Sequence, residues 1–338
     1  MPRKPRVEFE GAIYHIMSRG NRGDAIFLDD KDREIFMDTL DEACSRTGWQ
    51  VHAFVLMGNH YHLLLETPEA NLVAGMKWLQ GTYTQRFNSR HKLWGHLLQG
   101  RYKALLVDGA GGEYFSTVAS YIHLNPARAK LFDLNGEKLT DYEWSSYPLY
   151  LKPSKRPDWL AVDRMLGTLG LADDRRGRTH FRQVMQKRVL EIACRDTPED
   201  VDAQWAKIRR GWCFGGTDFR QAMLERIESL SGQRESFSGE QIRLHDVKEA
   251  EVLLQKGLRV LELKEEDLPT MSKGADEKAL LAWLLRRHSM VSNGWISERL
   301  VMGRADCLSR YPKRIEQTEN GELVKKREQL REITRLRD

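Results

Sequence analysis

Two histidines in the stretch "GNHYHLLLE", His60 and His62, are the first residues whose types and spacing suggest chemistry. Residues two apart in a β-strand point to the same face, so the two imidazoles project together while Tyr61, Leu63 and Leu65 face a core. Two imidazoles on one face can bind one cation. An HxH pattern by itself is nevertheless more often a pair of ordinary structural histidines than a metal site.

A second pattern lies further along the chain, in "VASYIHLNPARAK". Tyr121 and Asn125 stand at positions i and i+4, so one helix face presents both. A phenol is a potential nucleophile, and an amide oxygen is a potential cation ligand. The competing interpretation gives each residue a separate structural role, with Tyr121 as a packing aromatic and Asn125 as a helix cap before proline. Tyr114 could share the face of Tyr121 and is the alternative nucleophile.

The elements that must position these residues alternate between strand-like and helix-like patterns over residues 1–150. The runs "AIYHIMSRG", "WQVHAFVLM", "HYHLLLE" and "YKALLVD" have strand character, and "GN" predicts a hairpin between the second and third. Helical periodicity separates the first two strands, precedes the fourth and follows it. Asp29 or Asp30 is expected to cap the first helix and Gly48 to end it. The order predicts an α+β, ferredoxin-like (split βαβ) domain with an antiparallel sheet.

The remaining chain predicts an all-α C-terminal region. Prolines and cations indicate a linker at 151–160, and 161–272 is helical and charge-rich, either a scaffold or a DNA-clamping arm. Three short helices in 273–316, with a glycine turn before a basic third helix, favour a helix-turn-helix DNA-binding module over a plain three-helix bundle. The charged tail at 317–338 is expected to be a solvated helix or partly disordered.

Composition limits the classes of protein that this chain can be. It has 338 residues, 41% of them hydrophobic, and a net charge of +5, which fits a globular protein of roughly two or three domains. The mild basic excess permits a nucleic-acid partner without requiring one. No run is apolar enough to span a membrane, and the start lacks a signal-peptide core. The four cysteines have neither zinc-ligand nor CxxC spacing, so we expect a reduced, cytoplasmic protein without a membrane partner.

The two patterns occur together with "YHIMSRGNRG", "LLQGRYKALLVD" and "WSSYPLYL". With these motifs, roughly the first 150 residues resemble the REP-associated tyrosine transposases of the HUH superfamily of single-strand nucleases. Five separated motifs in one order make the resemblance specific. It implies that His60 and His62 hold Mg²⁺ or Mn²⁺, that Tyr121 is the nucleophile and that Asn125 is a third metal ligand. It implies no other small-molecule cofactor.

The resemblance also implies an activity and a location. The expected reaction is the cleavage and rejoining of single-stranded or hairpin DNA at repetitive extragenic palindromes through a 5′-phosphotyrosine, in the bacterial cytoplasm and on the nucleoid when DNA is bound. Trp94 and Tyr102 are candidates for base stacking, although core packing is the commoner role of such residues. The cations that we expect to contact DNA are Arg19, Arg22, Arg101, Lys103 and Arg128 near the site, and Arg304, Arg310 and Lys313 in the C-terminal module.

Two other functions remain open. The chain could be a regulator that binds DNA through 273–316 and carries an inactive N-terminal domain. It could also be a replication or mobilisation nuclease of the HUH superfamily, which would share the chemistry. The complete set of His60, His62, Tyr121 and Asn125 favours an enzyme over a regulator. The "YIHLNPARA" helix favours the transposase branch over the other nucleases.

Overall fold

The structure is a computed structural model, and its chain divides into two compact units. One unit comprises Met1–Cys44 with Gly48–Arg234, and the other comprises Ser45–Thr47 with Glu235–Asp338. Cys194 and Cys307 lie outside the described residues, whereas Cys44 and Cys213 are buried free thiols. The structure describes residues 7–131, 138–193, 208, 211–232, 240–289, 291–305, 308 and 310–335.

A mixed sheet of five strands forms the centre of the first unit. Strands β1 (Ala12–Arg19), β2 (Gln50–Met57), β3 (His60–Thr67) and β4 (Lys103–Val107) lie in the order β2-β3-β1-β4 and pair antiparallel. This is the strand order of the split βαβ arrangement, so the predicted α+β fold is confirmed. A short fifth strand, β5 (Cys213–Phe214), adds to β4 in parallel and makes the sheet mixed, which the sequence analysis did not predict.

Two long helices cover the sheet face that carries Tyr61. They are α1 (Asp30–Thr47) and α2 (Leu72–His91). The ring of Phe36 in α1 lies 4.8 Å from the ring of Tyr61, and Gln80 in α2 donates a hydrogen bond of 2.8 Å to the Tyr61 hydroxyl. The alternate residues of β3 are therefore directed away from these helices, which leaves His60 and His62 on the opposite face.

The ends and the buried stripe of these helices follow the sequence signals. The Asp29 side chain accepts a hydrogen bond from the Asp32 amide at 3.0 Å, and Gly48 ends α1 in the left-handed conformation with a φ of 70°. Both predicted ends of α1 are therefore confirmed. The helical periodicity before the fourth strand corresponds to α2, whose apolar residues Leu72, Met76, Leu79, Tyr83 and Phe87 are buried.

The opposite face of the sheet carries α3 (Glu113–His123) and the single turn α4 (Asn125–Arg128). Leu124 joins them and keeps helical backbone angles, with φ −86° and ψ −1°. Its amide donates to the Ser120 carbonyl at 2.9 Å, so the helical path continues from α3 into α4. The four-residue spacing of Tyr121 and Asn125 therefore works as it would in one uninterrupted helix.

Helices after residue 138 pack on the same core as the sheet. They are α5 (Ser146–Leu151), α6 (Asp163–Gly167), α7 (Arg175–Ala193) and α8 (Thr217–Gly232). Their buried side chains join the core cluster of the strands, and they include Tyr147, Met165, Phe181 and Met223. The compact unit therefore continues past the predicted linker at 151–160, because these helices cover apolar surface that the first 150 residues would leave exposed.

Both outer strands of the antiparallel part of the sheet have further hydrogen-bond partners. Along β2, the Leu56 amide donates to the Trp144 carbonyl at 2.8 Å, and the Tyr142 and Tyr150 hydroxyls donate to β2 carbonyls at 2.6 Å. Along β4, the amides of Leu106 and Asp108 donate to the strand around β5. Backbone groups that are paired in this way are not open to other chains, and the "WSSYPLYL" motif thereby has a structural role along β2.

The second unit is helical. Helices α9 (Glu240–Val260), α10 (Asp276–His288), α11 (Asn293–Arg299), α12 (Arg310–Glu316) and α13 (Gly321–Arg335) surround one apolar core. That core contains side chains from each of these helices, such as Leu254, Leu284, Ile296, Ile315 and Leu330.

The helix-turn-helix is not confirmed. Helix α11 ends at Arg299 and α12 begins at Arg310, and positions 306, 307 and 309 between them lie outside the described residues. In the charged tail, Gly321–Arg335 forms α13. Its Leu330 is fully buried in the core, so one face of this helix is packed and the others are exposed to solvent. In the part of the chain that the structure describes, no helix is long and apolar enough to cross a membrane.

We predict that Gly20→Ala destabilises the turn after β1. A Cβ atom at Gly20 would lie 2.0 Å from the backbone oxygen of Asp24, so the turn must move. The expected loss in the free energy of unfolding is about 1–3 kcal/mol, as for other overpacked sites. Gly58→Ala is the matched control, because a Cβ there meets open space. Urea unfolding of the full chain measures both, and an unchanged midpoint for Gly20→Ala would contradict the prediction.

Candidate active site

A cavity of about 510 Å³ lies on the sheet face opposite α1 and α2. Its walls come from β1, β3, β4, the segment before β4, and the α3–α4 helical path. The cavity brings together all four residues predicted for chemistry, which are His60, His62, Tyr121 and Asn125, and four of the predicted DNA-contacting cations, which are Arg19, Arg101, Lys103 and Arg128.

The strand register explains why the histidines face this cavity. In the antiparallel pair of β1 and β3, Arg19 lies opposite His60 and Met17 lies opposite His62. Met17 also lies opposite Lys103 of β4. Residues directly opposite each other share a face, so three strands contribute one row of side chains to the cavity. The prediction that His60 and His62 project from one face is confirmed.

His60 is held by Asn59, a neighbour that the sequence analysis did not select. The Asn59 amide nitrogen donates to the Gly23 carbonyl at 3.0 Å, which directs the amide oxygen to the Nδ1 atom of His60 at 2.8 Å. Because an amide oxygen only accepts, Nδ1 of His60 carries the proton. The Nε2 atom of a neutral His60 is therefore unprotonated and can be a metal ligand.

His62 is in contact with His15, which the sequence analysis also missed. The Nε2 atom of His15 lies 2.9 Å from Nδ1 of His62, and the two rings stack with their centroids 5.0 Å apart. His15 lies opposite Leu64, so it is the diagonal neighbour of His62 across the two strands. The sequence signal that could have identified His15 is the period of two in "YHIMSR", which places His15, Met17 and Arg19 on one strand face.

Burial keeps all three imidazoles neutral. It lowers the pKa of His60 to about 4, with a further contribution from the charge of Arg19, and it lowers the pKa of His15 to about 3. Burial also holds the pKa of His62 well below its ordinary value, and His15, His60 and Arg128 add to that effect. Neutral imidazole is the form that can bind a metal ion, so these rings could be ligands at neutral pH.

Tyr121 lies beside these rings. Its ring centroid is 5.6 Å from that of His62 and 5.8 Å from that of His15, and the Arg128 guanidinium lies 4.8 Å from its ring centre. Tyr114 instead packs edge-to-face on Phe214 at 5.0 Å and does not line the cavity. Of the two candidate nucleophiles, the structure brings Tyr121 to the histidines.

The other predicted contact residues have different environments. Arg22 is exposed in the turn after β1, with a φ of 56°, and it does not line the cavity. Trp94 is 90% exposed, whereas Tyr102 is buried in the core. Arg304, Arg310 and Lys313 are exposed residues of the second unit. Gln99 was not predicted, but it lines the cavity. Its backbone amide donates a hydrogen bond to the Arg19 carbonyl at 2.8 Å.

Comparison with known proteins shows what the N-terminal part of the chain is similar to. Residues 8–125 match the family model described as "Transposase IS200 like". A similar solved structure is that of a REP-associated tyrosine transposase bound to a REP hairpin, at 14% identity and a TM-score of 0.38, covering 48% of this chain and 93% of that chain. No curated protein matches this sequence. The family-model match agrees with the resemblance seen in the sequence motifs, and residues 8–125 are similar to IS200-like transposases.

Proposed function

We propose that this protein cleaves and rejoins single-stranded or hairpin DNA, with Tyr121 as the nucleophile and a divalent cation at His60, His62 and Asn125. The observation that carries the proposal is the placement of all four side chains in one cavity, with Tyr121 directly beside His62. Separate structural roles would explain each residue but not their convergence. The family match over residues 8–125 supports the same activity.

The residues present fit a hard cation such as Mg²⁺ or Mn²⁺. In the described parts of the chain, no group of three or more His, Cys, Asp or Glu side chains is placed to hold a metal ion. The candidate ligands are two imidazole nitrogens and the amide oxygen of Asn125, which leaves coordination positions for water and phosphate oxygens. A closed structural zinc site would need four protein ligands. An open site on a wide cavity suits a cation that also binds substrate phosphate.

The proposed reaction conserves the number of phosphoester bonds. The Tyr121 hydroxyl oxygen attacks the phosphorus atom and loses its proton, while the bond from phosphorus to the 3′-oxygen breaks and that oxygen takes up a proton. The products are a 5′-phosphotyrosine and a free 3′-hydroxyl. Attack by a second 3′-hydroxyl reverses the step and joins new strands without a nucleotide cofactor. A bound cation would screen the phosphate charge and polarise the phosphorus.

The cavity walls favour a nucleic-acid backbone as substrate. Arg19, Arg101, Lys103 and Arg128 surround the candidate chemistry, and cations of this kind neutralise phosphates. Tyr121 lines this cavity with only 3% of its surface exposed, so a DNA strand would have to enter the cavity to meet its hydroxyl. The motif resemblance extends this substrate class to hairpins formed by repetitive extragenic palindromes.

We predict that Tyr121→Phe abolishes a covalent protein–DNA adduct. The assay uses a pool of DNA hairpins with randomised flanking tetranucleotides, incubated with Mg²⁺ or Mn²⁺ and resolved on a denaturing gel. Loss of the nucleophile should lower adduct formation by about three orders of magnitude or more. A label at the 3′ end should migrate with the protein, and a label at the 5′ end should not, because the phosphotyrosine retains the 5′-phosphate.

Tyr114→Phe is the matched control for this experiment. It makes the same change on the same helix, but its ring packs on Phe214 outside the cavity. We expect it to form the adduct as the wild type does. An adduct that persists in Tyr121→Phe and disappears in Tyr114→Phe would transfer the role to the other tyrosine.

We predict that the reaction requires the cation and that His60→Ala removes it. Chelation should abolish the adduct, and added Mg²⁺ or Mn²⁺ should restore it. Binding of Mn²⁺, followed by electron paramagnetic resonance of the free ion, should weaken at least about 100-fold in His60→Ala because one ligand is lost. His180→Ala, at an exposed histidine of α7, is the control. Wild-type cleavage by His60→Ala would exclude this metal site.

A second candidate function is DNA binding by the second unit. Arg310 and Lys313 are exposed on or at the start of α12, and Arg304 precedes them in the same segment. Their charge would suit duplex or hairpin DNA independently of the cavity. The alternative is a helical bundle with a solvated basic surface. Deletion of residues 273–338 would not distinguish these, because it would strip the core partners from α9.

We therefore predict that the double substitution Arg310→Ala with Lys313→Ala weakens DNA binding in the full chain. If both contact phosphates, the slope of log K against log salt should fall by about 1.8, from roughly 0.9 for each lost contact. Fluorescence anisotropy with a labelled hairpin at several salt concentrations measures the slope. Lys325→Ala, at an exposed cation of α13, should leave it unchanged. An unchanged slope in the double variant would favour the plain bundle.

A further inference from the structure

We propose that His15 is a positioning residue that holds His62 in the tautomer whose Nε2 atom is free to bind a cation. His15 Nε2 lies 2.9 Å from His62 Nδ1, and the two side chains are buried, with 3% and 2% of their surface exposed. Its meaning for catalysis rests on the function proposed above. The tautomer itself is a property of this pair of rings and can be measured without any substrate.

The direction of this hydrogen bond decides whether His62 can be a ligand. If Nδ1 of His62 donates to His15, the Nε2 atom of His62 carries a lone pair. If His15 donates instead, Nε2 of His62 carries a hydrogen and cannot bind a metal. Metal-binding histidines usually donate their second ring nitrogen to a fixed acceptor. His15 Nε2 is the atom placed to accept here.

The environment of the cavity favours the binding tautomer. Arg128 and Arg19 line the same cavity as His62, so the electrostatic potential there is positive. A positive potential repels an N–H that points toward the cavity and attracts a lone pair. With His62 donating through Nδ1, the lone pair of its Nε2 atom is available to a cation. His15 must then carry its own proton on Nδ1.

The two candidate ligands are thus fixed in different ways. Asn59 fixes His60 through an amide whose orientation is set by the Gly23 carbonyl, so its proton has one possible position. His15 can donate or accept, and in the described part of the chain its buried Nδ1 atom has no hydrogen-bond partner that would decide the matter from behind. The tautomer of His62 therefore depends on both rings and on the charge in the cavity.

The test substitutes His15 in two ways. His15→Leu fills the space without an acceptor, so the buried Nδ1–H of His62 loses its partner. His15→Gln presents an amide oxygen at a similar reach and should rescue it. His52→Leu is the matched control, because His52 is equally buried (2% exposed) on the neighbouring strand β2 and lies outside the cavity. All variants are made in the full chain.

Two measurements are made on metal-free protein at neutral pH and during Mn²⁺ titration. Long-range ¹H–¹⁵N correlation spectra report which ring nitrogen of His62 carries the proton, and electron paramagnetic resonance reports the Mn²⁺ affinity. We expect Nδ1 of His62 to be protonated in the wild type, in His15→Gln and in His52→Leu. In His15→Leu we expect a mixture of tautomers and a 10- to 100-fold loss of Mn²⁺ affinity, the usual cost of removing such a partner.

A protonated Nε2 of His62 in the wild type would overturn the proposal, and this result requires no variant to fold. Wild-type Mn²⁺ affinity in a folded His15→Leu would overturn it as well. If His15 only filled space in the core, His15→Gln would not restore the Mn²⁺ affinity, and Nδ1 of His62 would stay protonated in His15→Leu; this result would also overturn the proposal. If the expected results hold while the wild type forms no DNA adduct, the function proposed above fails and the role of His15 stands.

Discussion

The register between β1 and β3 is the constraint on which the candidate site depends. It sets Arg19 opposite His60 and Met17 opposite His62, and it brings His15 diagonally against His62. A slip of one residue would move this row of side chains to the other face, where α1 and α2 pack on Tyr61. The register is protected because the intervening residues Tyr61, Leu63 and Leu65 are fully buried. Burial of the apolar face of β3 thus determines the register, and the register determines which side chains lie on the polar face.

The same burial sets the electrostatics of the cavity. A histidine that is removed from water resists protonation, and its neutral ring offers a lone pair instead of a charge. Three such rings can therefore lie together near Arg19 and Arg128 without mutual repulsion between imidazolium ions. The positive charge is left to the arginines, which suits a phosphate backbone, while the imidazoles remain available as ligands. Under the proposed function, the arginines would bind phosphate and the neutral imidazoles would bind the cation within one cavity.

Sequence patterns were sufficient where one local rule decides the outcome. Period-two alternation placed His60 and His62 on one face, and helical spacing placed Tyr121 and Asn125 on another. The same rules could not find His15, because its contact with His62 depends on the pairing of two strands that are 47 positions apart at these residues. Asn59 adjoins His60 in the chain, yet its role follows from the turn at Gly23, which only the folded loop brings near. Strand β5 was equally hidden, since a two-residue strand has no periodicity.

The core of the first unit also shows why a family match that ends at residue 125 does not mark the end of the fold. The β2 edge is closed by Tyr142, Trp144 and Tyr150, and the β4 edge is closed by the strand at Cys213–Phe214. Each closure uses backbone groups that would otherwise be open to other chains. His60 and His62 lie on β3, which pairs directly with β2, so the contacts that close the β2 edge support the strand next to these residues. Segments beyond residue 125 therefore complete the sheet that carries the candidate site.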